Sequence, residues 1–215
     1  MFEYLPELMK GLHTSLTLTV ASLIVALILA LIFTIILTLK TPVLVWLVRG
    51  YITLFTGTPL LVQMYIAYFF LPMVIPALNN IDKIYTVIFA LVLNSSAYVS
   101  EIIRSGITAV DNGQMEAARS LGMSYSHAMR KIIMPQAIKN ILPAVGNEFV
   151  VIIKESSILY TIGIYELTYQ ANKLASTNYR YLETLMISAL IYFVLTFVTS
   201  QLLAVLERRM HRGDR

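Results

Sequence analysis

Twenty-six consecutive residues, Thr14 to Leu39, carry no formal charge. At about 1.5 Å of helical rise per residue, this run outreaches the roughly 30 Å hydrocarbon core of a bilayer. Two further intervals, Gly50–Ile81 and Thr184–Leu206, are also free of charge. Of the 215 residues, 58% are hydrophobic and 13% charged. A soluble domain carries about 25% charge. That deficit excludes an ordinary soluble enzyme, and the apolar excess excludes a disordered chain. The expected class is an all-α polytopic membrane protein, because helices satisfy their own backbone groups where no water is present.

Five spans are predicted, near residues 14–39, 59–77, 84–104, 140–160 and 184–206. The first does not read as a signal peptide. Glu3 and Glu7 precede it, the run is too long, and no small-residue cleavage site follows. Thr58-Pro59 reads as an N-cap followed by proline at the first helical position, with a kink or break expected at Pro72. Val43–Thr56 is expected as a short helix at the membrane surface. The fourth span is the most polar, with Asn147 and Glu148 inside it. Five spans put the termini on opposite sides. Lys40, Arg49, Arg104, Arg119, Arg130, Lys131, Lys139, Arg208, Arg209, Arg212 and Arg215 fall on one side, and Lys10, Lys83, Lys173 and Arg180 on the other. Lys154 stays in or near the membrane. Basic residues collect on the cytoplasmic side, which places the N-terminus outside and the C-terminus in the cytoplasm. This topology accounts for the net charge of +4 without nucleic acid. The chain has no cysteine, and His13, His127 and His211 are too dispersed for a metal site.

The longest polar insertion runs from Ser105 to about Lys139. It reads as two short helices joined by a turn, with the coupling segment at 111–135. Asp111 is expected to cap the first helix, with Gln114 three residues on as in a capping box. Gly122 supplies a left-handed residue that ends it. Ser124 caps the second helix, and Pro135 is expected to stop it. Such a segment is either an amphipathic helix lying on the membrane or a docking element for a cytoplasmic partner. Ala117, Ala118 and Gly122 allow close backbone approach.

Glu116-Ala117-Ala118, Gly122, Ile132 and Met134-Pro135 resemble the EAA…G…I-L-P signature of ABC importer permeases, with Met134 in place of the usual leucine. Gly57-Thr58-Pro59-Leu60-Leu61-Val62-Gln63 resembles the RGTPLLVQ segment of the polar amino-acid subfamily. Thr56 stands where arginine is common, so any role of that arginine does not carry over. Ser96-Ala97-Tyr98, with Glu101 and Arg104, resembles that subfamily's third span. The resemblance covers nearly the whole chain, and its N-terminal third is most similar to arginine-transporter permease subunits. It implies a type I importer permease fold in the bacterial inner membrane. It also implies a second permease subunit, identical or paralogous, a dimer of ABC ATPases and an extracytoplasmic amino-acid-binding protein. Glu116, Ala117, Ala118, Arg119, Gly122 and Pro135 would form the coupling helix against the ATPase. The sequence contains no GxxxxGK[ST] loop, so no cofactor is expected in this chain and ATP with its magnesium would be bound by the partner.

A carboxylate at membrane depth is costly, which makes Glu148 the first candidate for substrate contact. A guanidinium would meet it through a charge-assisted, bidentate bond. Two other roles are open to it: pairing with a basic side chain across helices, and gating. Asn94 and Tyr98 share one face of the third span and either line the path or act as interhelical glue. Gln63 is a further path candidate. Glu101 and Arg104 are expected to pair with each other. The favoured substrate is a basic amino acid: arginine, with histidine, lysine or ornithine as variants. Glutamine or another polar amino acid is the alternative. A secondary carrier or channel is the rival class, and five spans without a clear repeat argue against it. An intramembrane protease is disfavoured because no histidine falls inside a span.

Overall fold

A computed structural model describes residues 4–39 and 41–210. Glu3, Lys40, His211, Arg212 and Arg215, all named above, lie outside the described residues. Among the described residues every regular element is helical. Helix α1 spans Leu5–Thr38, α2 Pro42–Thr56, α3 Leu60–Val74 and α4 Lys83–Thr108. Then come α5 (Asn112–Ser120), α6 (Tyr125–Ala128) and α7 (Met134–Glu155), followed by α8 (Leu167–Asn178) and α9 (Tyr181–Met210).

The bundle is organised by small residues. On α1, Ser15, Thr19, Ser22, Ala26 and Ala30 recur every three or four residues and are fully buried. On α4, Ser95, Ser96, Ala97 and Ser100 are buried likewise. Large side chains gain little by leaving lipid for protein, so close backbone approach and local hydrogen bonds drive this packing. The apolar side chains face outward instead: Ile24, Ile28, Leu31 and Ile35 stand exposed along α1. The central cluster draws Leu18 from α1, Met64 from α3, Leu91 from α4 and Ile152 from α7.

Among the described residues, three helices are long and apolar enough to cross a membrane: α1, α4 and α9. The bent pair α2–α3 adds a fourth if counted as one span. The expected fourth span, α7, falls short of that measure among the described residues, because Asn140, Asn147, Glu148 and Lys154 interrupt it. It nevertheless packs between α4 and α9. A 3-10 stretch, Ser156–Ile162, continues it to Gly163, which adopts φ +80°.

Several boundaries differ from expectation. Helix α1 begins at Leu5, well before Thr14, and its first turns carry the exposed Lys10–Glu7 pair at 2.7 Å. Helix α2 is not confined to the surface. Its Val48 and Ile52 bury against Ala97 in the middle of α4. The Tyr51 hydroxyl donates to Leu93 O at 2.6 Å. Pro59 is the N-cap of α3 rather than its first helical residue. Pro72 does not break α3. A π turn, Ile66–Phe70, lies just before it, and the helix ends at Ile75, where the following Pro76 disfavours helical backbone.

Asp111 caps α5 by accepting from Gly113 N at 2.6 Å, and Ser124 caps α6 by accepting from His127 N at 3.3 Å. Gly122 takes φ +84°, and Met123 N donates to Ala118 O at 3.1 Å, closing the helix end as expected. Pro135 does not stop the second helix. The chain runs from α6 through a π turn, Met129–Ile133, directly into α7. The wider turn removes the clash a proline ring makes with the carbonyl four residues before it.

Gly11 marks a close approach between the backbones of α1 and the start of α8. A Cβ there would lie 2.8 Å from both Glu166 O and Leu167 Cα, which are backbone atoms. Gly50, mid-helix in α2, has nothing within 4 Å. We therefore expect Gly11→Ala to destabilise the purified protein by about 2 kcal/mol, as overpacking does. Gly50→Ala should leave the thermal midpoint unchanged or raise it, since alanine is the better helix former. Paired melting curves check both.

Candidate functional site

The bend between α2 and α3 is 106° and occurs at Gly57-Thr58-Pro59. A helix end strands backbone carbonyls, and hydrocarbon offers them no water. Side chains supply the missing donors. Gln63 Nε2 donates to Phe55 O at 3.0 Å, to Thr58 O at 3.0 Å and to Thr58 Oγ1 at 2.8 Å. From α4, Asn94 Nδ2 donates to Gln63 Oε1 at 2.9 Å and to Phe55 O at 3.4 Å. The Tyr98 hydroxyl reaches Thr56 O at 3.4 Å.

The structure thus brings together three of the expected path residues, Gln63, Asn94 and Tyr98. It also changes their reading. The carboxamides of Gln63 and Asn94 are buried and bonded to the broken helix, so their first task is to close it. Tyr98 is 39% exposed and lines a cavity of about 460 Å³ with Glu101, Ile102, Ser105, Asn140 and Ala144.

Glu148 is one turn beyond Ala144 on α7 and is not among the residues that line this cavity. Helices α4 and α7 are antiparallel, with Asn140 Nδ2 donating to Gly106 O at 3.5 Å. Eight residues from that contact along each helix are Glu148 and Tyr98. Equal rise therefore places Glu148 at the depth of Tyr98 and of the helix break. Glu148 is 8% exposed, and its carboxylate has no hydrogen bond or ion pair among the described residues. Pairing within the subunit, one of the three roles open to it, has no partner there. Lys154 is exposed and makes no ion pair among the described residues. Glu101 and Arg104 form the expected pair, through two guanidinium nitrogens, at the far end of α4.

The α5–α6 tip has a defined inside and outside. Ala118 is buried, at 2% exposure, and faces its own chain rather than a partner. Arg119 Nη1 donates to Met123 O at 2.8 Å and so holds the turn. Glu116, Ala117 and Gly122 are exposed. So are Leu121, at 85%, and Tyr125, at 60%. Leu121 and Tyr125 give the tip an apolar contact surface that the sequence reading did not name. Pro135 lies outside the tip, exposed near the start of α7.

A second buried carboxylate was also missed. Glu166 is fully buried and caps α8, accepting from Tyr169 N at 2.6 Å and Thr168 N at 2.8 Å. Tyr192 of α9 donates to it at 2.8 Å. The legible signal was an acidic residue immediately before a helical stretch, but Ser, Thr, Asp and Asn are the usual caps. No group of three or more metal-ligating side chains occurs among the described residues.

The knot at the bend makes a testable claim. Gln63→Leu should cost about 1–3 kcal/mol, because it leaves buried carbonyls and Asn94 without their partner. Asn94→Leu should then cost less in the Gln63→Leu background than in the original, by about 1 kcal/mol of coupling. A double-mutant cycle on detergent-solubilised protein reads both values.

Comparisons with known proteins agree with this architecture. Residues 22–212 match the family described as binding-protein-dependent transport system inner membrane component. The chain is 48% identical to the arginine ABC transporter permease protein ArtM of Escherichia coli K12, over 97% of this chain and 96% of that protein. It is 39% identical to the arginine transport system permease protein ArtQ of Bacillus subtilis, over 98% of this chain and 95% of that one. A crystal structure of an amino acid ABC transporter with histidines superposes with a TM-score of 0.93 at 46% identity, covering 97% of this chain and 96% of that one. A three-helix-plus-bent-pair membrane bundle with an exposed two-helix tip is thus matched by sequence and by structure, and the chain belongs to the ABC transporter permeases of the binding-protein-dependent inner-membrane family.

Proposed function

We propose that this chain is one half of the membrane path of an importer for basic amino acids, with arginine as the preferred substrate. The observation that carries this reading is Glu148, a buried carboxylate with no partner among the described residues, at the depth of the helix break. An unpaired buried charge is unfavourable unless something else neutralises it. A guanidinium supplies both the charge and a fork of donors that fits a carboxylate. The arginine permeases among its relatives support the same substrate class. Tyr98, exposed in the adjoining cavity, would contact the substrate at the same depth. Gln63 and Asn94 would act by holding the bend in place.

The rest of the assembly follows from this role. A second permease subunit completes the path, an extracytoplasmic binding protein delivers the amino acid, and ATP is hydrolysed on a pair of partner ATPases. The chain itself is non-catalytic. The N-terminus faces outside and the α5–α6 tip faces the cytoplasm, consistent with the excess of Lys and Arg on that side. ATPase closure would draw two such tips together and open the path outward, and hydrolysis would reverse this. Glu116, Ala117, Leu121 and Tyr125 form the docking face, while Ala118, Arg119 and Gly122 keep its shape.

Two experiments test these roles. In liposomes holding the complex and its binding protein, arginine should stimulate ATP hydrolysis and glutamine should not. Glu148→Gln should cut the arginine response at least about tenfold, the equivalent of one lost charge-assisted bond. Stimulation by glutamine, or an unaffected Glu148→Gln, defeats the cationic-site reading. For the tip, Leu121→Asp or Ala117→Arg should abolish substrate-stimulated hydrolysis while the permease still inserts at normal levels. Normal transport by both variants would rule out docking at this face.

A further inference from the structure

A groove of about 430 Å³ opens between α1, α2 and α4 at the end of the bundle that carries the α5–α6 tip. Its polar lining includes Thr34, Thr38, Arg49, Thr53, Glu101 and Arg104. The charges there are unequal in availability. Arg104 is matched by Glu101, although its Nη1 donors remain unused in that pair. Arg49 is exposed and has no ion pair or hydrogen bond among the described residues. The Thr53 hydroxyl, one turn further along α2, is likewise without a hydrogen bond among the described residues, whereas Thr34 and Thr38 bond back to their own helix.

Apolar surface leads into this groove. On α1, Ile24, Ile28, Leu31 and Ile35 form an exposed stripe, and Leu31 lies two turns from Thr38 on the same side. Trp46, one turn before Arg49, is 72% exposed, as an aromatic anchor at the interface is. A free guanidinium and a free hydroxyl beside a lipid-facing aliphatic stripe suit a ligand with an anionic head and acyl tails. They do not suit the cationic amino acid proposed for the path, which Arg49 would repel.

We infer that Arg49, Thr53 and the free edge of Arg104 bind the phosphodiester headgroup of an anionic phospholipid from the leaflet on the tip's side of the membrane. Basic pockets between helices on the cytoplasmic side recognise such headgroups. The lipid would lie across α1, α2 and α4 and tie the start of the broken span to the helix that leads to the tip.

Trp46 is the only tryptophan in the chain, which gives the site its own reporter. The full-length chain is reconstituted in vesicles, and Trp46 quenching is measured with dibrominated phosphatidylglycerol and with dibrominated phosphatidylcholine. The anionic lipid should reach half-quenching at about a fivefold lower mole fraction, the gain one basic side chain has at an anionic surface. Arg49→Gln should bring the two lipids to parity, Arg49→Lys should keep the preference, and Thr53→Val should weaken it without altering quenching by phosphatidylcholine. The paired variant Arg130→Gln/Lys131→Gln, outside the groove, should retain it. Equal quenching in the original chain overturns the site, as does a preference that survives Arg49→Gln. Loss of the preference in the Arg130/Lys131 variant would assign it to diffuse surface charge. Its removal by inorganic phosphate would assign the groove to a free anion rather than a lipid.

Discussion

Hydrocarbon provides no hydrogen-bond partner, so every backbone group buried in it must be satisfied by the protein. Unbroken helices meet this requirement by themselves, and α1 and α9 need little more. The bend of 106° at Gly57-Thr58-Pro59 does not. There, Phe55 O and Thr58 O depend on the amide of Gln63, and Gln63 in turn depends on Asn94 of α4. The position of α3 relative to α4 rests on this small set of bonds.

The same constraint explains the contrast between the carboxylates. Glu166 is buried but accepts two backbone amides and a tyrosine hydroxyl, so it belongs to the scaffold that joins α8 to α9. Glu148 is buried and has no hydrogen bond or ion pair among the described residues. Burial alone does not distinguish a structural carboxylate from one held for a ligand. The partners each has within the subunit separate Glu166 from Glu148, and a carboxylate without them is left for water, a proton or an outside group to satisfy. Gln63 and Asn94 show the converse. They are polar and at membrane depth, yet their donors are already committed to the backbone.

Proline handling shows how local chemistry and packing interact. Two π turns, Ile66–Phe70 and Met129–Ile133, each end two residues before a proline. In both, the helix continues where a sequence rule anticipates a kink or a stop. The widened turn accommodates the ring, and packing on both sides keeps the helix going. Where Pro76 follows Ile75 without such a turn, α3 ends.

Hydropathy and charge in the sequence determined that the chain is helical and membrane-embedded, and placed the outer spans, because charge-free runs such as Thr14–Leu39 have no other stable environment. The sequence also determined the tip's caps, since Asp111, Ser124 and Gly122 act on neighbours a few residues away. Membership in the permease family was legible in Glu116-Ala117-Ala118 and Gly57–Gln63 for the same reason: these motifs are short and contiguous. Tertiary structure alone decided that α2 descends into the bundle, that Ala118 faces inward, and that Gln63 and Asn94 serve a broken helix while Glu148 stays unpaired among the described residues. Those outcomes depend on which side chains from distant segments arrive at the same depth. Hydrogen-bond accounting across helices resolves that, and no local spacing encodes it.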